Sequence, residues 1–164
     1  MVLMDQLYEL LSAHFPPELA VFIISMLPVI ELRGGMIFAA ILGIPFAQAF
    51  LFCFLGNIIP IPFILLFLRK IFALLERFKF TRKIVQWVED KGHKASRKLG
   101  KYDLLSLFIF VAIPLPGTGG WTGSLISVLL DLQIRRAFPA IALGVLAAGG
   151  IMSFFTYFIP GLFF

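Results

Sequence analysis

Residues 18 to 43 read ELAVFIISMLPVIELRGGMIFAAILG, and this stretch decides the fold. Its two ends are apolar, but its centre holds residues that a simple membrane-spanning helix avoids: Pro28, Glu31, Arg33, Gly34 and Gly35. Proline removes a backbone hydrogen bond, and a charge inside a bilayer is costly unless it is paired or hydrated. The stretch therefore predicts two apolar half-segments separated by a polar break.

The same anomaly recurs at residues 104 to 130, LLSLFIFVAIPLPGTGGWTGSLISVLL, where proline and glycine interrupt a second apolar run. Each broken run is followed by an apolar stretch long enough to span a bilayer, at 45–68 and 137–159. Each of these stretches contains a small-residue notch, Gly56 in the first and Gly144 in the second. The shared order of parts predicts an internal repeat.

The composition indicates a membrane protein, since 60% of the residues are apolar, 14% are charged and the mean hydropathy is +1.01. We expect one all-α membrane domain over residues 1–164, beginning with an amphipathic interfacial helix at 1–16. Eleven of the fourteen Lys and Arg residues lie between Arg69 and Lys101. This pattern predicts a basic cytoplasmic segment at 69–102 that meets membrane lipid and not nucleic acid.

The distribution of charge suggests how the broken runs meet the membrane. Four full crossings would put the acidic N-terminus on the same side as the basic segment and would leave Arg135 and Arg136 outside. If 17–43 and 103–131 instead enter and leave on one face, every charge cluster lies where the positive-inside tendency places it. The sequence thus predicts an inverted repeat of a re-entrant helical hairpin plus a transmembrane helix. Four kinked helices with buried polar residues are the alternative.

Glu31 and Arg33 are the leading candidates for a substrate or ion site, because each charge needs a reason to lie in an apolar segment. Glu31 could carry a proton or cation, and Arg33 could hold a phosphate or carboxylate through two hydrogen bonds. Gly34 and Gly35 complete this candidate site. The alternative is that the two charges form a structural ion pair or cap a helix end.

The second break is uncharged, but it offers backbone amides, two hydroxyls and the start of a helix, which favour an anionic head group. Its candidate binding residues are Pro114, Pro116, Gly117, Thr118, Gly119, Gly120 and Thr122. Alternatively, the glycines and prolines only shape the turn. Arg135 and Arg136 are candidate lipid-phosphate contacts or interfacial anchors.

Other polar residues give weaker signals. Asn57 and Gln48 could face a cavity or could bond to a neighbouring helix. Cys53 is the single cysteine, so we expect neither a disulfide nor a metal site, and no cofactor is predicted. No nucleophile with a base is visible, so we do not expect an enzyme.

The segments Pro28-Val29-Ile30-Glu31-Leu32-Arg33-Gly34-Gly35 and Pro114-Leu115-Pro116-Gly117-Thr118-Gly119-Gly120-Trp121-Thr122-Gly123 resemble the two signatures of the small multidrug export protein family. The resemblance covers nearly the whole chain. More distantly, two re-entrant loops in inverted repeat resemble the DedA superfamily, which is linked to transport of lipid carriers such as undecaprenyl phosphate and to proton-dependent behaviour. The arginine that this superfamily has after Pro-Gly is replaced here by Thr118-Gly119-Gly120, so the phosphate-lipid analogy weakens unless Arg33 substitutes for it from the opposite loop.

These observations predict a transporter or lipid flippase, with proton coupling as one option, that moves an anionic lipid carrier or small amphiphile through a cavity between two re-entrant loops. The alternatives are a multidrug exporter of cationic apolar compounds and a membrane scaffold or assembly factor that transports nothing. We expect a multi-pass protein of the prokaryotic plasma (inner) membrane, with its N-terminus outside and 69–101 in the cytoplasm. The short chain and its small residues from Gly144 to Gly150 predict a homo-oligomer, with a dimer favoured.

Overall fold

A computed structural model of the chain describes residues 15–75, 103–115 and 117–159, and these residues form helices without any strand. The helices are α1 (Pro17–Met26), α2 (Glu31–Ile41), α3 (Phe46–Ile58), α4 (Pro60–Leu75), α5 (Asp103–Ala112), α6 (Gly120–Leu129) and α7 (Ile134–Ser153), followed by a π-helix over Phe154–Phe158. The predicted all-α class is confirmed. The predicted interfacial helix at 1–16 lies outside the described residues, apart from its end, and so does the basic segment beyond α4.

Two of the helical stretches are long and apolar enough to cross a bilayer: Phe46–Leu68, with 23 residues, and Ile134–Phe158, with 25. At about 1.5 Å per residue, each exceeds the roughly 30 Å of a hydrocarbon core. Only 28% and 33% of their apolar windows are buried within the protein, whereas a soluble core helix would be mostly buried. Together with the composition, this indicates a membrane protein whose apolar helix faces meet lipid.

The two long helical stretches overlap the apolar stretches at 45–68 and 137–159. The helix of the first span begins at Phe46 and continues past Leu68 as α4. The second begins at Ile134, three residues before its predicted start, and contains Pro139. It starts earlier because the Gln133 carbonyl accepts bonds from the backbone N–H groups of Arg136 and Ala137, both at 2.9 Å. Arg135 and Arg136 therefore lie in the first turn of α7 and not in the preceding turn.

The two broken runs each form a pair of short helices. α1 and α2 have 10 and 11 residues, and α5 and α6 have 10 each. A helix of this length reaches only about 15 Å, half of a hydrocarbon core. Phe38 of α2 packs against Ala20 and Ile24 of α1, whereas Gly35 faces Ser25, so the two helices run antiparallel. We call α1 and α2 the first hairpin, and α5 and α6 the second hairpin.

The chain forms two compact units. Unit 1 contains residues up to Ile59 and from Leu146 onward, and unit 2 contains Pro60–Val145. In unit 1, α1 lies so close to α3 that a Cβ added at Gly56 would overlap the Phe22 carbonyl oxygen. In unit 2, a Cβ added at Gly144 would lie 2.7 Å from Val111 Cβ and 3.0 Å from the Phe108 carbonyl oxygen. Each predicted notch is thus a place where a long helix approaches the first helix of a hairpin.

Several structural features occur twice in the chain. The two occurrences are separated by the same number of residues as Gly56 and Gly144. Gly35 and Gly123 have this separation, and each packs against the preceding helix of its own hairpin. Gly43 and Asp131 also have it, and both have positive φ, at 68° and 51°. Glu31 and Gly119 form a third such pair, with φ of 53° and 133° at the starts of α2 and α6.

Candidate functional site

The first break lies between the end of α1 and the start of α2, and Glu31 is its most unusual residue. The backbone leaves the helix at Leu27, which is extended, and the Glu31 N–H donates to the Leu27 carbonyl at 2.9 Å. Glu31 has a φ of 53° and its side chain is only 5% exposed. A left-handed backbone costs an L-residue about 1 to 2 kcal/mol, and such strain is found most often at functional sites. Glu31 is thus held in a conformation that its own preferences oppose.

Arg33 lies two residues further along α2, is partly buried and interacts electrostatically with Glu31. The structure therefore brings the two predicted charges together. Opposite charges inside an apolar protein are costly to desolvate, so their interaction is weak support for a purely stabilising role.

Gly34 and Gly35 are required by close packing. A Cβ at Gly34 would overlap Ile30 Cγ2, and one at Gly35 would overlap Ser25 Oγ and lie 3.0 Å from Cys53 Sγ. α2 therefore contacts α1 and α3 at a point where no side chain fits. The predicted binding role of these glycines stays a prediction beside this observed packing role.

The second break is organised by hydrogen bonds of the chain to itself. The Thr118 hydroxyl lies 2.7 Å from the Ile113 carbonyl oxygen and 2.9 Å from the Leu115 carbonyl oxygen. It therefore donates a hydrogen bond to the backbone just after the end of α5. Its oxygen lone pairs can still accept a bond. Pro114 is partly buried, and Pro116 lies outside the described residues. This part of the candidate site acts first as a helix cap.

The start of α6 keeps the features expected of an anion site. Gly117 and Gly119 have φ of 81° and 133°, conformations that favour glycine. No side chain caps the helix at Gly119, and the first bond within the helix is donated by Gly123 to the Gly119 carbonyl. The helical ladder of α6 thus begins with the Gly123 N–H. Gly119 and Gly120 are buried, whereas Thr122 is partly exposed.

The remaining predicted residues lie at the surface. Arg135 and Arg136 are exposed in the first turn of α7, where the helix dipole disfavours positive charge. Gln48 is exposed as well, near the start of α3.

Two buried polar side chains in unit 1 stand out in the structure more than in the sequence. Asn57 is 1% exposed and Ser25 is 0% exposed. Among the described residues, neither the Asn57 amide nor the Ser25 hydroxyl has a hydrogen-bond partner. Within the described residues, Asn57 therefore does not form the hydrogen bond to a neighbouring helix that the sequence offered as one possibility. Ser25 gave no signal, because an isolated serine in an apolar run usually bonds to its own helix.

The described residues contain no group of three His, Cys, Asp or Glu side chains that could hold a metal ion.

Comparison with known proteins gives a family. No curated protein and no solved structure matches this chain. A family model described as "Putative small multi-drug export protein" matches residues 31–151, a range that begins at Glu31 and includes the whole second break. Since the match covers most of the sequence, the chain belongs to the small multi-drug export protein family.

Proposed function

We propose that this protein is a membrane transporter or lipid flippase that moves an anionic lipid carrier or small amphiphile, with Glu31 exchanging a proton during the cycle. The family description agrees with transport in general. The observation that carries the proposal is Glu31 itself, a carboxyl 5% exposed in a left-handed backbone beside Arg33. Desolvation and strain both act against this arrangement, so a functional role accounts for it better than stability does. The proposed activity moves a substrate without chemical change.

Three cationic or dipolar features favour a negatively charged substrate. Arg33 supplies a guanidinium whose fork of donors matches phosphate or carboxylate. The uncapped start of α6 adds backbone amides, and Arg135 and Arg136 offer exposed charge for a lipid phosphate. A cationic drug would find Glu31 attractive and Arg33 repulsive.

We further propose that the two hairpins are re-entrant and belong to an inverted repeat. Helices of 10 or 11 residues are too short to cross the bilayer alone, and each hairpin folds back after its break. Among the described residues, one full span, Phe46–Leu68, separates the hairpins, and a single crossing between two like parts gives them opposite orientations. The recurrence of Gly56 as Gly144 and of Gly43 as Asp131 supports this arrangement.

In the proposed topology the N-terminus lies outside and 69–101 lies in the cytoplasm of a prokaryotic cell, so that the basic segment obeys the positive-inside tendency. Cysteine accessibility from either side of the membrane tests this topology. A reporter at residue 85 labelled from outside in intact cells would contradict it.

Reconstitution in liposomes tests the transport proposal. We would measure flipping of a labelled polyprenyl phosphate and movement of a cationic dye, with and without a proton gradient, for the wild type, Glu31→Gln and Arg33→Gln. Glu18→Gln and Lys70→Gln are matched controls, because these charges lie outside the break and Lys70 is exposed. We expect both site variants to lose most phosphate-lipid movement and both controls to keep it.

Other outcomes of this experiment would favour the alternative functions. Dye movement that is lost only in Glu31→Gln would indicate a multidrug exporter, the function that the family description suggests. If the wild type moves neither compound and both site variants only unfold more easily, the Glu31–Arg33 interaction is structural and the scaffold alternative is supported.

We also propose a homo-oligomer, with a dimer favoured, because a chain of this length has few helices with which to shelter a substrate path. Mass measurement in lipid nanodiscs that finds only monomer would contradict this.

A further inference from the structure

Asn57 and Ser25 belong to one buried interface of unit 1. Asn57 lies one helical turn after Cys53 on α3, so the two side chains share a face. Cys53 Sγ and Ser25 Oγ both meet the position where a Cβ of Gly35 would lie. Gly56, the neighbour of Asn57, would place its own Cβ 3.2 Å from Ser25 Cβ. Ser25, Cys53 and Asn57 therefore line the meeting point of α1, α2 and α3.

The polar atoms at this meeting point lack partners in the described part of the chain. They are Ser25 Oγ, Asn57 Nδ2 and Asn57 Oδ1. The Cys53 thiol interacts with Ser25, but a thiol is a weak donor, and the geometry at Ser25 Oγ is not that of a hydrogen bond. Burying such groups without hydrogen bonds costs about 1 to 3 kcal/mol each. Three of them in one small interface call for a ligand.

The chemistry of the three atoms limits what that ligand can be. Asn57 presents both a donor and an acceptor, and Ser25 can act as either. A metal cation would satisfy the oxygens but not the Asn57 amide N–H groups. A water molecule donates and accepts, and buried waters characteristically bond otherwise unsatisfied polar groups.

We propose that Ser25 and Asn57 bind water inside the first hairpin, on the side of α2 that carries Glu31. Glu31 and Gly35 are four residues apart on α2 and so lie on one face, and Gly35 faces Ser25. The site thus gives Glu31 a hydrated neighbourhood, the condition under which a carboxyl at this depth can exchange protons. In this respect the inference rests on the proposed transport function. The presence of water does not depend on transport.

Radiolytic labelling tests for the water directly, because X-rays convert bound water to hydroxyl radicals that oxidise side chains beside it. Cys53 is a suitable reporter, since it is the only cysteine and is 0% exposed. We would expose the full-length protein in nanodiscs to X-rays in H₂¹⁸O and measure ¹⁸O incorporation at Cys53 by mass spectrometry. A Cys53→Ala, Ala49→Cys variant is the control reporter, because Ala49 is equally buried on α3 two turns from Asn57.

We expect Cys53 to be oxidised several-fold faster than the control cysteine, and Ser25→Ala or Asn57→Leu to reduce that rate to the control level. Ser153→Ala is the matched variant that leaves the rate unchanged, because the Ser153 hydroxyl is already bonded to the Gly149 carbonyl at 2.6 Å. Equal rates at Cys53 and at the control cysteine would overturn the proposal. If Asn57→Leu fails to fold, the rate of Cys53 oxidation in Ser25→Ala tests the proposal by itself. If the wild type shows rapid Cys53 labelling but transports neither compound in liposomes, the proposed function is contradicted and the water site is not.

Discussion

The first and second breaks have similar backbone geometry but contain different chemical groups. Each ends a helix of about half the bilayer depth and starts another with a residue of positive φ, Glu31 in the first and Gly119 just before α6 in the second. The first break places a carboxyl and a guanidinium there, whereas the second is uncharged and caps itself through Thr118. The comparison indicates that the hairpin geometry is common to both halves, while the buried charge is specific to the first break. Four predictions test this comparison, beginning with the largest effect.

The close approach of each long helix to its hairpin is the feature most easily broken. Gly56→Ala forces a Cβ into the Phe22 backbone, so we expect a loss of about 3 kcal/mol in unfolding free energy. Gly144→Ala should cost less, because part of its clash is with the Val111 side chain. Thermal unfolding in lipid nanodiscs measures both. Gly150→Ala is the control, with open space and an expected small gain. A Gly56→Ala protein as stable as wild type would refute the close contact.

The backbone of Glu31 can be separated from its charge by comparing Glu31→Gly with Glu31→Ala. Both remove the carboxyl, but only glycine relieves the left-handed strain, so Glu31→Gly should be more stable than Glu31→Ala by about 1 to 2 kcal/mol. Gly119→Ala should be destabilised, since its φ of 133° suits glycine alone. Transport should be lost in both Glu31 variants. If Glu31→Gly and Glu31→Ala melt at the same temperature, Glu31 is not strained.

The cap of the second break should respond to loss of a single hydroxyl. Thr118→Val keeps the shape but removes the bonds to the Ile113 and Leu115 carbonyls, at an expected cost of about 1 kcal/mol. Thr118→Ser retains the hydroxyl and should lie close to wild type in thermal unfolding. Equal stability of the valine and serine variants would show that the hydroxyl does not cap α5.

The turns after the hairpins should tolerate an exchange of residues. Gly43 and Asp131 both have left-handed backbones, and aspartate is among the few non-glycine residues that adopt them at modest cost. Gly43→Asp and Asp131→Gly should each change stability by less than about 1 kcal/mol. Gly43→Val, with a β-branched side chain, is the contrasting variant and should be clearly less stable. A severe loss in Gly43→Asp would break the correspondence of the two turns.

Much of the fold could be predicted because its signals are local. The breaks appear as Pro and Gly inside apolar runs, and the spans appear as uninterrupted apolar stretches of sufficient length. The notches at Gly56 and Gly144 were also predictable, since small residues mark close helix contacts. The early start of α7 was missed, because it depends on the Gln133 carbonyl and not on hydropathy.

The candidate site was harder to predict, because its distinctive features depend on packing. The sequence pointed to Glu31 and Arg33, but nothing in it indicated the left-handed backbone of Glu31, a conformation usual for glycine. Thr118 was predicted as a substrate-binding residue. Its hydrogen bonds to the Ile113 and Leu115 carbonyls could not be predicted, because they depend on how the backbone turns after α5. Ser25 is an ordinary residue until its hydroxyl is found buried and without a partner in the described structure.

The division of the long helices between the compact units has an evolutionary consequence. Unit 1 contains the first half of the Phe46–Leu68 span and the last part of the Ile134–Phe158 span, and unit 2 contains the complementary parts. If the repeat arose by gene duplication, the ancestral single-copy chain could have completed such a unit only by exchanging half-helices with a second molecule. Neither of the fragments 1–85 and 86–164 should therefore fold as a monomer, and the two should assemble when expressed together. Folding of either fragment as a monomer would contradict this origin.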